Sequence, residues 1–139
     1  MNFMDGTIRQ SEGALWFDEG AARIRVPDRM VDKIASKCDS AIVLGVRPEA
    51  ISSEHTGRFA SADNAIRMMI NVTEPLGDKM DLYLATERHP HIVARIDAHH
   101  GVESNAEQLF YLDMDRIHFF DTGSLGKNLT LDNREVEPV

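Results

Sequence analysis

A chain of 139 residues, 42% of them hydrophobic, can bury roughly two thirds of its extended surface in one core, and that length corresponds to a single domain. Fifteen Lys and Arg against twenty-three Asp and Glu leave a net charge of −8, which removes the phosphate attraction that nucleic-acid binding draws on. No apolar run reaches the roughly 18 residues of a membrane-spanning helix. The single Cys38 cannot form an internal disulfide, and the polar start Met1-Asn2-Phe3-Met4-Asp5 lacks the layout of a secretory leader, so a reducing cytoplasm is expected.

Period-two alternation and short apolar runs bounded by turn residues dominate the chain. They predict strands at Gly6 to Gln10, Ala14 to Phe17, Ala22 to Val26, Ala41 to Val46, Ala65 to Glu74, Met80 to Thr86, His91 to Asp97, Gln108 to Leu112 and Arg116 to Phe120. In the fifth of these, Ile66, Met68, Ile70 and Val72 fall on one face and Arg67, Met69, Asn71 and Thr73 on the other. Pro75-Leu76-Gly77-Asp78 then reads as a turn joining an antiparallel hairpin, with Gly77 supplying the positive φ. One segment departs from the pattern: Asp28 can cap a helix whose stripe is Met30, Val31, Ile34, Ala35 and Cys38. Ser52 to Asn64 reads as a loop, and the domain is expected to end near Leu131, with 132–139 a frayed tail. Nine short strands and one helix indicate an all-β barrel or sandwich.

The chemistry-bearing residues form no reaction motif. His89, His91, His99 and His100 are close in sequence, but without Cys pairs or helical spacing they read as exposed histidines rather than a zinc set. Cys38, on the apolar stripe, reads as an inert thiol. Gly123-Ser124-Leu125-Gly126-Lys127-Asn128 has two residues between its glycines where a phosphate loop has four, and Asn where it has Ser or Thr, so it reads as a turn. Asp113 and Asp115 read as a solvated turn.

Four clusters carry a family resemblance: Met1-Asn2-Phe3 followed by Gly6, Leu44-Gly45-Val46-Arg47-Pro48-Glu49, Val72-Thr73-Glu74-Pro75-Leu76-Gly77, and Ile117-His118-Phe119-Phe120-Asp121-Thr122-Gly123. In this order the chain resembles, over nearly its whole length, the C-terminal regulatory region of ATP-binding subunits from sugar-type ABC importers, the MalK and UgpC group. The resemblance implies an OB-fold-like TOBE β-barrel with one short amphipathic helix, and a chain that is an excised piece, since neither a phosphate loop nor a Leu-Ser-Gly-Gly signature is present. It implies a non-catalytic regulatory and dimerisation domain with no cofactor of its own, ATP and Mg belonging to the ATPase domain of the parent subunit. The implied partners are a second parent subunit in a homodimer, the parent's own ATPase domain, the membrane permease subunits and a cytoplasmic regulatory protein, at the inner face of the bacterial plasma membrane.

Residue by residue, the resemblance implies regulatory contacts around Glu74, Leu76 and Gly77, a locking role for His118 in the last strand, and a terminal turn at Phe120 and Asp121. Phe119 stands where Leu is commoner in the family, and the Pro27 to Cys38 helix is longer than in its compact members. Pro48 biases Arg47 toward extended geometry, which would project Arg47 and Glu49 to one side as an ion pair or interface. Two other functions fit a small barrel: oxyanion sensing, opposed by the net charge of −8, and oligonucleotide binding, opposed by that charge and by 6% aromatic residues.

Overall fold

Two five-stranded sheets share one core. The computed structural model describes residues 1–53, 60–98, 102–122 and 128–129; the loop residues 54–59, His99 and His100, the Gly123 to Lys127 part of the glycine-containing turn and the 132–139 tail lie outside them. The strands are β1 (Asn2–Ser11), β2 (Ala14–Asp18), β3 (Arg23–Arg25), β4 (Ala41–Val46), β5 (Ile51–Ser52), β6 (Ala65–Leu76), β7 (Lys79–Ala85), β8 (Ile92–Asp97), β9 (Ala106–Leu112) and β10 (His118–Phe120), with one helix, α1 (Asp28–Ile34). The first sheet runs β10-β4-β1-β2-β3 and the second β5-β9-β6-β7-β8. In the second, β8 comes back against β5, so the strands wrap into a nearly closed barrel. The open choice between barrel and sandwich is settled by that return.

Every predicted strand is present, Ala41–Val46 with the predicted ends and the others with shifted ends. β1 begins at Asn2, four residues earlier than the pattern suggests, because Asn2, Met4, Gly6 and Ile8 all turn inward while Asn2 to Thr7 pair with β4. Asn2 tolerates burial because its amide donates to the Val46 and Val93 carbonyls (3.2 and 2.8 Å) and accepts the Val93 N–H (2.8 Å). Gly6 is required where β1 passes under Phe17: a Cβ there would lie 2.5 Å from the ring and 2.6 Å from the Asp18 carbonyl oxygen. β5, two residues long, is too short for any periodic signal, and it pairs with the end of β9.

Three local expectations are corrected. Asp28 is the first helical residue rather than the cap; Pro27 holds the cap position without a side-chain bond, and the Asp28 carboxylate favours the N-terminal end of the helix dipole from inside the first turn. The helix is also shorter than expected, tightening into a 3₁₀ turn over Ala35–Lys37. Met30 and Ile34 are buried, Val31 and Cys38 only partly, and Ala35 is exposed. The chain must leave the helix there because Cys38 bridges to Ile8 and the Asp39 N–H donates to the Ile8 carbonyl at 2.6 Å. The turn between β6 and β7 is two residues, Gly77-Asp78, and not four. Pro75 pairs with Met80 and Leu76 with Lys79. Pro75 is tolerated there because β9 accompanies β6 only as far as Ile70, leaving that stretch an edge on one side. Gly77 has the anticipated positive φ of +78°.

The third correction changes which residues face solvent. A register shift between Ile70 and Val72 inserts a bulge into β6. Ile66, Met68 and Ile70 are buried as the alternation predicts, but beyond the bulge the faces exchange, so Val72 points outward and is 51% exposed. Elsewhere, Ser61 opens a capping box onto a 3₁₀ turn at Ala62–Asn64, within the stretch read as a loop, and buried Asn64 donates to the Leu112 carbonyl at 2.7 Å. Both sheets contribute to one apolar cluster, with Ile8, Phe17, Leu44 and Phe119 from the first and Ile66, Leu82, Leu84 and Phe110 from the barrel.

Candidate interaction surface

The outer wall of the barrel is a ladder of cross-strand rows. β7 and β8 set Lys79 opposite Asp97, Asp81 opposite Arg95 and Tyr83 opposite Val93. The bulged half of β6 adds Leu76, Glu74 and Val72 to the same three rows. Side chains opposite one another on one face are in contact range. Arg95 holds Asp81 in a two-point grip, Nε to Oδ1 at 2.8 Å and Nη2 to Oδ2 at 3.1 Å, and Lys79 donates to Asp97 at 2.5 Å. The hydrogen bonds from Arg95 hold the Asp81 carboxyl below the usual carboxylate range, against the opposing effect of its burial. The bond to Asp81, with smaller help from the charge of Glu49, raises Arg95, and the bond to Asp97 raises Lys79.

A carboxyl whose folded pKa is lowered contributes stability above its unfolded pKa of about 3.9, and that stability is lost as pH falls through the folded value. Asp81→Asn is therefore expected to lower the urea midpoint at pH 7 and to match the parent chain progressively as the pH is taken below about 4. Equal midpoints for the two proteins at pH 7 would remove Asp81 as a stabilising contact.

The remaining candidates lie in two places. Arg47 has the extended geometry expected before Pro48 (φ −75°, ψ 152°), but Pro48–Ala50 then forms a 3₁₀ turn. The side-by-side projection of Arg47 and Glu49 therefore fails: Arg47 is exposed with no ion pair among the described residues, while Glu49 meets Arg116 at 3.7 Å. On the outer face of the first sheet, β10 sets His118 opposite Gly45 and Phe120 opposite Val43. Phe120 meets Phe3 edge-on at 5.6 Å, and Gly45 makes room, since a Cβ there would sit 2.6 Å from the Phe120 ring and 2.8 Å from the Met1 sulfur. His118 Nδ1 lies 3.3 Å from the Asn128 amide, and Asp121 pairs with Lys37 at 3.5 Å.

Residues 1–51 match the family described as the MalK OB fold domain, and residues 44–120, more than half of the chain, match the TOBE domain. The chain belongs to the TOBE domain family. This TOBE chain is 31% identical over 124 residues to the oligosaccharides import ATP-binding protein MsmX of Bacillus subtilis (strain 168), a match covering 88% of the chain and 33% of that protein. It is 30% identical over 123 residues to the multiple sugar-binding transport ATP-binding protein MsmK of Streptococcus mutans serotype c, covering 87% of the chain and 32% of that protein. It thus spans about a third of the length of the curated relatives it matches. Among solved structures, the cytoplasmic molybdate-binding protein ModG superposes with a TM-score of 0.60 over 85% of this chain and 94% of that one, at 13% identity, which is a likeness of fold.

In this TOBE chain the structure separates the eight candidates into three groups. Glu74, Leu76 and Gly77 sit at the β6–β7 end of the barrel wall, Arg47 and Glu49 at the passage from the first sheet to the barrel, and His118, Phe120 and Asp121 on the first sheet. Asp81, gripped by Arg95, stands opposite Glu74. Asp81 and Arg95 were missed by sequence reasoning. The available signal was an acid in mid-strand at an outward position, but its partner is set by strand register.

A second network was also missed. Glu19 is fully buried and accepts from the Ala21 N–H (3.1 Å), from Thr86 Oγ1 (2.6 Å) and from His89 Nδ1 (2.5 Å). The Asp5 N–H donates to His89 Nε2 at 2.9 Å, so the network assigns the ring proton to Nδ1. His89 and His91 both precede β8, which begins at Ile92. The Asp113 and Asp115 turn is present, with the Asp115 N–H donating to Asp113 Oδ1 at 3.1 Å.

Proposed function

We propose that this chain is the regulatory and subunit-joining region of an ATP-binding subunit of an ABC importer for sugars or related solutes. The observation that supports the reading best is the ordered pair of matches, MalK OB fold then TOBE domain, covering residues 1–120. Relatives named as sugar-import ATP-binding proteins align over almost the whole chain. In this reading the chain catalyses nothing itself, ATP and Mg act on the ATPase domain of the parent, and the assembly sits on the cytoplasmic side of the membrane with its permeases. Two subunits joined through this region keep their ATPase halves at high effective concentration while those halves open and close. A regulatory protein bound to the region shifts transport by favouring one of the two states.

The oxyanion-sensing alternative has weaker support than the fold likeness to ModG suggests. Each of three surface depressions carries more carboxylates than cations; one of them, about 340 Å³, has Arg25 against Asp28, Asp63, Asp113 and Asp115. Such a lining repels an anion. The experiment is removal of this region from the full-length parent subunit, assayed with its permeases in vesicles. Nucleotide binding is expected to survive while coupled transport is lost or deregulated. Loss of nucleotide binding on removal, ATP turnover by the 139-residue chain alone, or saturable molybdate uptake by that chain in equilibrium dialysis would overturn the reading.

A further inference from the structure

β2 accompanies β1 only from Thr7 to Ser11, so among the described residues no strand lies on that side of β1 before Thr7, and the barrel supplies the contacts there. The Asn2 side chain accepts the Val93 N–H and donates to the Val93 carbonyl, both at 2.8 Å. The Asp5 N–H, three residues on, donates to His89 Nε2 at 2.9 Å. We infer that the second of these ties is a pH-sensitive latch: protonation of His89 at Nε2 releases Asp5 while the Asn2 tie holds. The inference concerns the two sheets of this chain and stands whether or not the chain joins subunits.

The ring can accept from Asp5 in one protonation state only. Its side chain is 12% exposed, and its Nδ1 meets the fully buried Glu19 carboxylate at 2.5 Å. That carboxylate also accepts the Thr86 hydroxyl and the Ala21 N–H and offers the ring nothing but lone pairs, so Nδ1 carries a proton in both states and the change falls on Nε2. The neutral ring holds both neighbours. The imidazolium sets an N–H against the Asp5 N–H, donor facing donor, while its bond to Glu19 becomes charge-assisted. Asp5 is exposed, so its freed N–H passes to water, whereas Glu19 is closed from water. The added proton therefore tightens the Glu19 side and opens the β1 side. The turn that carries the ring does not have to open, because the His89 N–H donates to Thr86 Oγ1 and the Thr86 N–H to the His89 carbonyl, both at 2.9 Å. The ionisable groups of the elements packed on the ring are Asp5 of β1, Asp18 and Glu19 at the end of β2, and Glu87, Arg88 and His91 of its own turn. Asp18 is engaged by Arg9 (3.1 Å) and the Gly20 N–H (2.9 Å). The Arg88 stem lies over Gly20, 3.2 Å from where a Cβ would stand. Glu19 and Asp5 are the two that touch the ring.

Hydrogen exchange of the 139-residue chain, read residue by residue by NMR and divided by the intrinsic rate at each pH, tests the latch across the range in which histidine changes charge, about pH 8 to 5. The expected result is a roughly five- to tenfold loss of protection at the Asp5 amide on acidification, with Val93, held by Asn2, unchanged. His89→Gln, whose amide can donate to Glu19 and accept from Asp5 without titrating, is expected to abolish the loss. Asp5→Asn, which keeps the backbone N–H, and His91→Gln are expected to preserve it. The ring nitrogens of the parent chain give a second readout that needs no variant to fold: a proton on Nδ1 alone at pH 8, and on both nitrogens once Asp5 is released. Constant protection at Asp5, an equal loss at Val93, a loss that survives His89→Gln or vanishes with His91→Gln or Asp5→Asn, or a ring protonated on Nε2 at pH 8 would each overturn the latch.

Discussion

Phe119→Ala is expected to cost about 3–5 kcal/mol, the range for removing a buried aromatic ring, out of the roughly 5–15 kcal/mol that hold a domain together. The ring is fully buried and lies 5.9 Å from that of Phe17. Its strand, β10, is three residues long and holds its place by pairing with β4 on one side, Phe119 opposite Leu44. The Phe119 carbonyl also accepts the Leu129 N–H at 2.7 Å. Losing the ring therefore opens a cavity and releases the strand that carries His118 and Phe120. Phe119→Leu, the residue commoner in the resembled family, keeps most of the volume and is expected to cost under about 1.5 kcal/mol. Urea unfolding of the three proteins at 25 °C checks both figures, and an alanine cost below about 1 kcal/mol would place the ring outside the core.

Glu19→Ala is expected to be of similar size, about 3–5 kcal/mol, because it removes one side of a buried polar network and leaves the other side closed from water. Thr86 Oγ1, His89 Nδ1 and the Ala21 N–H all lose their acceptor at once. The cost is also architectural. Glu19 lies after β2 in the first sheet, Thr86 and His89 lie between β7 and β8 of the barrel, and the His89 ring reaches back to the Asp5 N–H of β1. The carboxylate is thus a tie between the two sheets. Amide exchange at Asp5 is expected to accelerate in the variant, whereas a simple cavity would leave that amide protected. Combined with Thr86→Val, the double variant is expected to lose clearly less than the sum of the single losses, since each alone strands the other's partner. Strict additivity would sever the network.

The two cases mark different degrees of legibility. Phe119 stands inside an alternation, Ile117-His118-Phe119-Phe120, that marks a strand ending, and the structure buries Ile117 and Phe119. Glu19 and His89 are 70 residues apart, and nothing local in either segment signals the other. The candidate surface divides the same way. Pro75, Leu76 and Gly77 announce a hairpin because proline and glycine restrict or free φ wherever they occur. Which side of β6 faces solvent on the approach to that hairpin depends on one inserted residue opposite β7.

By itself the amino-acid sequence determined the strand content, the short amphipathic helix, the hairpin with its positive-φ glycine, the acidic surface and the resemblance to TOBE regions of sugar importers. These rest on side-chain alternation, turn chemistry and motif order, all of which act within a few residues along the chain. Only the tertiary structure decided the closure of the barrel by β8 against β5, the exchange of faces at the bulge, the Asp81–Arg95 grip and the Glu19–His89 tie. Each of those depends on register between segments distant in sequence, and register is chosen by the burial of a whole face at once.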